Sequence, residues 1–103
     1  MTRQKYDTMA GMLNNKSFHH IERIVRGYSN HRRIEILKLL SEYPELSVAE
    51  IANHLKVNFK TSAGHIAKLA IAGLIMKRSD SVSVRHKLTP RGESVLKFLK
   101  TLN

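Results

Sequence analysis

The 103-residue sequence contains no cysteine, which excludes disulfide frameworks, thiolate nucleophiles, CxxC redox pairs and cysteine-based zinc sites. Long apolar runs are missing too. The longest, Leu69–Met76, has eight residues and includes Gly73, far short of the ~20 needed to span a bilayer. The N-terminal segment MTRQKYDTMAGMLNN lacks the apolar stretch of a secretory signal, so an intracellular protein is expected. The five glycines, Gly11, Gly27, Gly64, Gly73 and Gly92, form neither G-x-G-x-x-G nor a Walker loop, and there is no H-E-x-x-H. Thr61 or Ser62 near His65 resembles a nucleophile–base pair, yet no carboxylate lies nearby to orient it. No enzyme activity and no cofactor are expected.

Acidic residues are scarce. Eight Asp and Glu stand against 18 Lys and Arg, a net charge of +10, with a pI near 10.3. Such an excess favours an anionic partner, nucleic acid before acidic membrane. The charge is also uneven. Residues 1–55 carry eight basic and six acidic side chains, whereas residues 56–103 carry ten basic ones against Asp80 and Glu93. This places the anion-binding face mainly in the second half. The length, with 42% apolar residues, suits one small soluble domain.

Residues 1–16 show no sustained period and read as a flexible tail, leaving 17–103 as the domain. Phe18, Ile21, Val25 and Tyr28 then recur at helical spacing, with Ile24 widening the stripe and Gly27 weakening the last turn. A second helix starts near Ser29 or Asn30, carries Ile34, Ile36, Leu37, Leu39 and Leu40, and stops before Pro44. Its wide apolar arc makes it the central core helix. Ser47-Val48-Ala49-Glu50 has the form of a capping box and opens a short helix with Ile51, Ala52 and Leu55 inward. Lys56-Val57-Asn58 reads as a tight turn. Asn58 caps a helix that runs to about Ala72, with Gly73 just past its end. Leu74–Arg78 and Val82–Leu88 read as two strands around a polar tip, with Val84, His86 and Leu88 alternating with polar neighbours. Thr89-Pro90 opens a last helix with Val95, Leu96, Phe98, Leu99 and Leu102.

This order predicts a mainly α (α+β) fold, a winged helix-turn-helix with a two-stranded β-hairpin wing and flanking N- and C-terminal helices. The segment Ser47–Ile75, SVAEIANHLKVNFKTSAGHIAKLAIAGLI, carries the resemblance. Ala52 stands where such motifs need a small residue, and Val57 and Ile66 where apolar residues lock the two helices. His65-Ile66-x-x-Leu69-x-x-Ala72-Gly73-Leu74-Ile75 resembles the H-L-x-x-L-x-x-A-G-L-V signature of ArsR-type bacterial and archaeal repressors. Arg33-Ile34-x-Ile36-Leu37-x-Leu39-Leu40 resembles their R-x-x-I-L-x-L-L helix, and Leu88-Thr89-Pro90-x-Gly92 the L-T-P-x-G that closes the wing in several winged-helix families. Together these cover roughly residues 17–100.

The resemblance implies a transcriptional regulator that binds double-stranded DNA in the cytoplasm, at the nucleoid, as a dimeric repressor acting by steric occlusion. A protruding helix fits the ~12 Å major groove. With Ile66 and Leu69 inward, helix 59–72 presents Phe59, Lys60, Ala63, Gly64, Ala67 and Lys68, with Asn58 and Thr61 at its start. Lys60 is the first choice for a base or phosphate contact and Lys68 for a phosphate. In the wing, Lys77, Arg78, Arg85 and Lys87 would flank the backbone or minor groove; an ordinary solvated hairpin surface is the alternative. His65 adjoins the buried face and reads as a packing residue. Two positions depart from the family pattern: Gly64 replaces a polar reader and Ser62 a core valine. Small residues and Phe59 can touch thymine methyls but offer few hydrogen bonds for readout. Gly64 is either a close-contact residue or merely tolerated.

Metal sensing, common in the resembled family, lacks its ligands. The helix at 47–55 has no cysteine pair and His54 as its only soft ligand, the closing helix has only Glu93, and His19, His20 and Glu22 read as an exposed polar face. No metal effector is expected. The resemblance further implies a homodimer through the first and last helices, at Phe18, Ile21, Val25, Tyr28, Val95, Phe98, Leu99 and Leu102. Those helices hold more apolar residues than so small a core easily covers; packing on the same monomer is the alternative. Two other functions stay open: a low-specificity architectural nucleic-acid binder, and a winged-helix protein-interaction module.

Overall fold

Local sequence signals start and stop nearly every element of the fold. A computed structural model of the chain describes residues 15–103, so residues 1–14 of the expected tail lie outside the described residues. Helix α1 spans Asn15–Tyr28, beginning two residues before the expected Ser17. Helix α2, His31–Glu42, is capped by Asn30, whose side chain accepts from the backbone N–H groups of Arg32 and Arg33. Helix α3, Val48–Leu55, opens on the expected capping box. Glu50 N–H donates to Ser47 Oγ at 3.2 Å, and Ser47 N–H donates to Glu50 Oε1 at 2.9 Å. Helix α4 is Phe59–Ile71, with Asn58 accepting from Thr61 N–H. The hairpin pairs β1, Ile75–Ser79, antiparallel with β2, Val84–Leu88. Helix α5, Pro90–Lys100, follows the Thr89 cap.

The core lies where α2, α3, α4, α5 and the base of the hairpin meet. Ile36, Leu37, Ile51, Leu69 and Leu74 are fully buried, joined by Leu40, Ile66, Ile75, Leu88 and Leu96. Each large aliphatic side chain removed from water here contributes roughly 1.5–3 kcal/mol. Helix α2 is central, as its wide apolar arc requires. Among the described residues no helix is long and apolar enough to cross a membrane.

The junction between α4 and α5 is tied by several bonds at once. Gly73, at φ +75°, ends α4. Its N–H donates to Ala70 O, and Leu74 N–H reaches back to Leu69 O, the paired bonds of a Schellman end. Two further carbonyls are met from the start of α5 and its cap: Thr89 Oγ1 donates to Gly73 O at 2.6 Å, and Arg91 Nη1 to Ala72 O at 2.9 Å. Gly27 does more than weaken the last turn of α1. It is buried, and a Cβ there would collide with the Cβ of Ala72. Glycine is what lets α1 dock on the end of α4.

Three details differ from the sequence reading. Val82, expected in the second strand, is exposed in the turn. Asp80 explains this, because its carboxylate accepts from the N–H groups of Val82 and Ser83 at 2.8 and 2.7 Å, and its own N–H donates to Ser83 O. Val84 alternates with its neighbours but is exposed, since the hairpin tip extends past the core that covers His86 and Leu88. Finally, Leu46 forms an isolated antiparallel bridge with His86, which no periodicity could announce in a single residue. Both His86 N–H and Nδ1 lie 2.9 Å from Leu46 O, so the ring proton sits on Nδ1.

Candidate nucleic-acid interface

The helix-turn-helix is built by α3 and α4 packing through Ile51, Ala52, Ile66 and Leu69, all buried, with Val57 half-buried in the turn. The turn is tight because Lys56 adopts the left-handed conformation, φ 55° and ψ 42°, while Val57 N–H closes on Ala52 O at 3.1 Å. This leaves one side of α4 outside. Asn58, Phe59, Lys60, Thr61 and Gly64 are exposed, and Ala63 is half-buried. Phe59 leaves 60% of its surface to solvent, large for an aromatic ring at a helix start. Nothing among the described residues lies within 4 Å of where a Gly64 Cβ would be, so their packing does not require glycine there. Ser62 occupies a core position at 1% exposure, and its Oγ has no hydrogen-bond partner among the described residues. A hydroxyl thus stands where the family's apolar residue would pack.

His65 is half-buried on the flank of α4. Burial, reinforced by Arg33, Lys68, His31 and Arg32, holds its imidazole below the usual histidine range. The ring is therefore neutral near pH 7, consistent with packing. Lys68 is exposed at the opposite end of α4 from Lys60 and faces a groove beside Arg33, so the two lysines do not form one cluster.

The wing divides its four cations. Arg78 and Arg85 are cross-strand partners and both engage carboxylates. Arg78 Nε lies 3.3 Å from Glu45 Oε1. Arg85 Nε donates to Asp80 Oδ2 at 3.2 Å, and its Nη1 donates to Glu45 O at 2.9 Å while standing 3.8 Å from Glu50 Oε1. The hydrogen bonds from Ser83 and Val82, followed by Arg85, hold the Asp80 carboxyl below its ordinary range. Lys77 and Lys87 are exposed and form no ion pair among the described residues. Spacing along the strand could not reveal this division, because Glu45 and Glu50 reach the wing only in three dimensions.

The eight residues expected at a dimer surface also divide. Phe18, Ile21 and Val25 on α1, and Phe98 and Leu102 at the end of α5, are exposed at 40–67%. Tyr28, Val95 and Leu99 are half-buried against the chain's own core. His19 lies 3.9 Å from Glu22, and His54 stacks on Tyr43 with ring centroids 5.3 Å apart. No three His, Asp or Glu side chains converge on one point among the described residues. Sequence reasoning missed Arg33. It is buried on α2, and its helical spacing from Ile36, Leu37 and Leu40 is the signal that could have marked it.

Residues 30–77 match the family model described as "Bacterial regulatory protein, arsR family". Comparison with curated proteins finds no match. Among solved structures, HlyU from Vibrio cholerae N16961 is similar over 85% of this chain and 96% of its own, at TM-score 0.74 and 26% identity. The homodimeric winged helix-turn-helix DNA-binding domain of Mb0332 from Mycobacterium bovis, a possible ArsR-family regulator, is similar over 87% of this chain and 81% of its own, at TM-score 0.74 and 23% identity. A transcriptional regulator HlyU from Vibrio vulnificus CMCP6 aligns with 99% of this chain and 98% of its own, at TM-score 0.69 and 23% identity. With the family match lying on the helix-turn-helix and the hairpin completing the domain, the chain has a winged helix-turn-helix fold whose residues 30–77 match the arsR family of bacterial regulatory proteins.

Proposed function

We propose that the protein represses transcription as a homodimer, with α4 in the major groove of duplex DNA and the wing against the adjoining backbone or minor groove. The observation that carries this reading is the exposed start of α4, where Asn58, Phe59, Lys60, Thr61, Ala63 and Gly64 surround a helix N-terminus. Backbone N–H groups there favour a phosphate, and Lys60 is the cation best placed for a base edge. Lys77 and Lys87 supply the wing's phosphate contacts, and Lys68 a further one. Arg78 and Arg85 serve DNA indirectly, by holding the wing to the loop before α3. The exposed apolar side chains of α1 and α5 support dimerisation, and the Mb0332 domain, similar in fold, is described as homodimeric. A two-fold dimer would set two reading helices about 34 Å apart, one turn of DNA. No catalytic role, no metal effector and a cytoplasmic, nucleoid-associated location complete the reading.

Selection of bound sequences from a random duplex pool tests it. An enriched inverted repeat is expected; binding without enrichment would replace it with the architectural reading, which the small side chains at 63 and 64 favour. Affinity should fall with salt at a log–log slope of roughly −0.9 per phosphate neutralised. A flat response would favour a protein-interaction module instead.

A further inference from the structure

Cations from both halves of the chain meet away from the reading end of α4. A groove of about 400 Å³ runs between α1, the start of α2, the C-terminal part of α4 and Arg91. Arg23, Arg26, Arg33, Lys68 and Arg91 line it, and among the described residues no carboxylate does. Its apolar surface comes from Ile24, Ile71 and Ala72. Arg33 is 8% exposed, and its buried Nε has no hydrogen-bond partner among the described residues. A buried guanidinium donor without an acceptor is costly, and a planar anion is the partner its geometry suits. Ile71 adds a second unmet demand: at 87% exposure, a large aliphatic side chain stands in water at the groove's edge. The positive potential registers at His65, where Arg33 and Lys68 add to burial in disfavouring the imidazolium.

We propose that this groove binds an amphiphilic anion, a carboxylate or phosphate monoester with an aliphatic body, its head on Arg33 and its body against Ile24 and Ile71. The anionic head supplies the acceptor that Arg33 Nε lacks. Arg26 is partly neutralised by Glu22, 3.0 Å away, and Arg91 already donates to Ala72 O, so Arg23, Arg33 and Lys68 carry most of the attraction. The aliphatic body covers Ile71. The groove lies about three helical turns from Asn58, so its ligand does not compete for the reading face.

Direct titration of the full chain, without DNA, separates this proposal from the DNA-binding reading. The probes are octanoate, octyl phosphate and inorganic phosphate at constant ionic strength, read by calorimetry and thermal melting. Saturable binding of octanoate or octyl phosphate is expected, at least about tenfold tighter than inorganic phosphate because the alkyl chain is buried. The tighter of the two identifies the head group. Ile71→Asp, at an exposed position that folding does not need, should weaken alkyl-anion binding about tenfold or more, and Arg23→Glu should do likewise. Arg33→Lys keeps the charge and loses the fork, and should weaken binding with the melting temperature of the unliganded chain little changed. Absence of saturable binding would overturn the proposal. So would equal affinity for inorganic phosphate and the alkyl anions, or binding indifferent to Ile71→Asp and Arg23→Glu.

Discussion

Arg85 donates from Nη1 to the carbonyl oxygen of Glu45, 2.9 Å away, and so fastens the wing to the loop that precedes the helix-turn-helix. The same guanidinium holds Asp80 in the hairpin turn, so one side chain braces both the tip and the root of the wing. Position in the hairpin makes Arg85 an expected DNA contact, and the carboxylates and carbonyl around it add a structural task.

Arg85→Ala should therefore cost stability, about 1 kcal/mol for a partly exposed, charge-assisted hydrogen bond. DNA affinity should fall by a similar factor on every sequence while the salt slope stays close to that of the parent. Lys87→Ala or Lys77→Ala should leave stability unchanged and make the slope shallower by roughly 0.9. Denaturant unfolding together with salt titrations of binding checks both outcomes. A slope change for Arg85→Ala as large as that for Lys87→Ala would return Arg85 to the DNA contacts.

Gly64→Ala should stabilise the fold by about 1 kcal/mol, the usual gain in a helix interior, because the added methyl meets open space. If the backbone approaches DNA closely there, the same variant should bind DNA more weakly despite its greater stability. Unchanged affinity in the more stable variant would show a tolerated glycine with no part in the contact.

Lys56 holds a left-handed conformation at the turn between α3 and α4. Lys56→Gly should raise stability by about 1 kcal/mol, since glycine adopts that geometry without strain. Lys56→Ala keeps the strain and should give no comparable gain. Equal melting temperatures for the two variants would remove the turn strain as the cause.

The His65 imidazole titrates below its unfolded-state value near 6.5. Above that pH the ring is neutral in both states, so its contribution is level. As the pH falls below it the unfolded chain takes up a proton first, and stability declines toward the folded pKa. His65→Gln should flatten that part of the stability–pH profile. A profile unchanged by the substitution would assign the decline to other groups.

How legible the molecule was in its sequence depended on the range of the interaction. Asn58, the Ser47–Glu50 box and Thr89-Pro90 are read correctly because a cap is decided within three or four residues. Ser62 is flagged by its departure from a family pattern and proves to be buried with an orphan hydroxyl. The charge was harder to place. Dividing the chain at residue 55 sent the anion-binding face to the second half, but Arg23, Arg26 and Arg33 from the first half meet Lys68 and Arg91 across α1, α2 and α4. The pairing of Arg78 and Arg85 with Glu45 and Asp80 was hidden likewise, since the bridge from Leu46 to His86 joins positions 40 residues apart.

Ala72 has a consequence for motion. Its carbonyl is held by Arg91, and its methyl bears on Gly27, which makes the end of α4 a pivot shared with α1 and α5. The opposite end of the helix lies about 20 Å away along its axis. A tilt of about 10° at that pivot would carry Asn58 and Lys60 through about 3 Å, roughly the length of a hydrogen bond. Gly27→Ala, whose methyl must displace Ala72, is thus a lever on DNA affinity applied far from any residue that would touch a base.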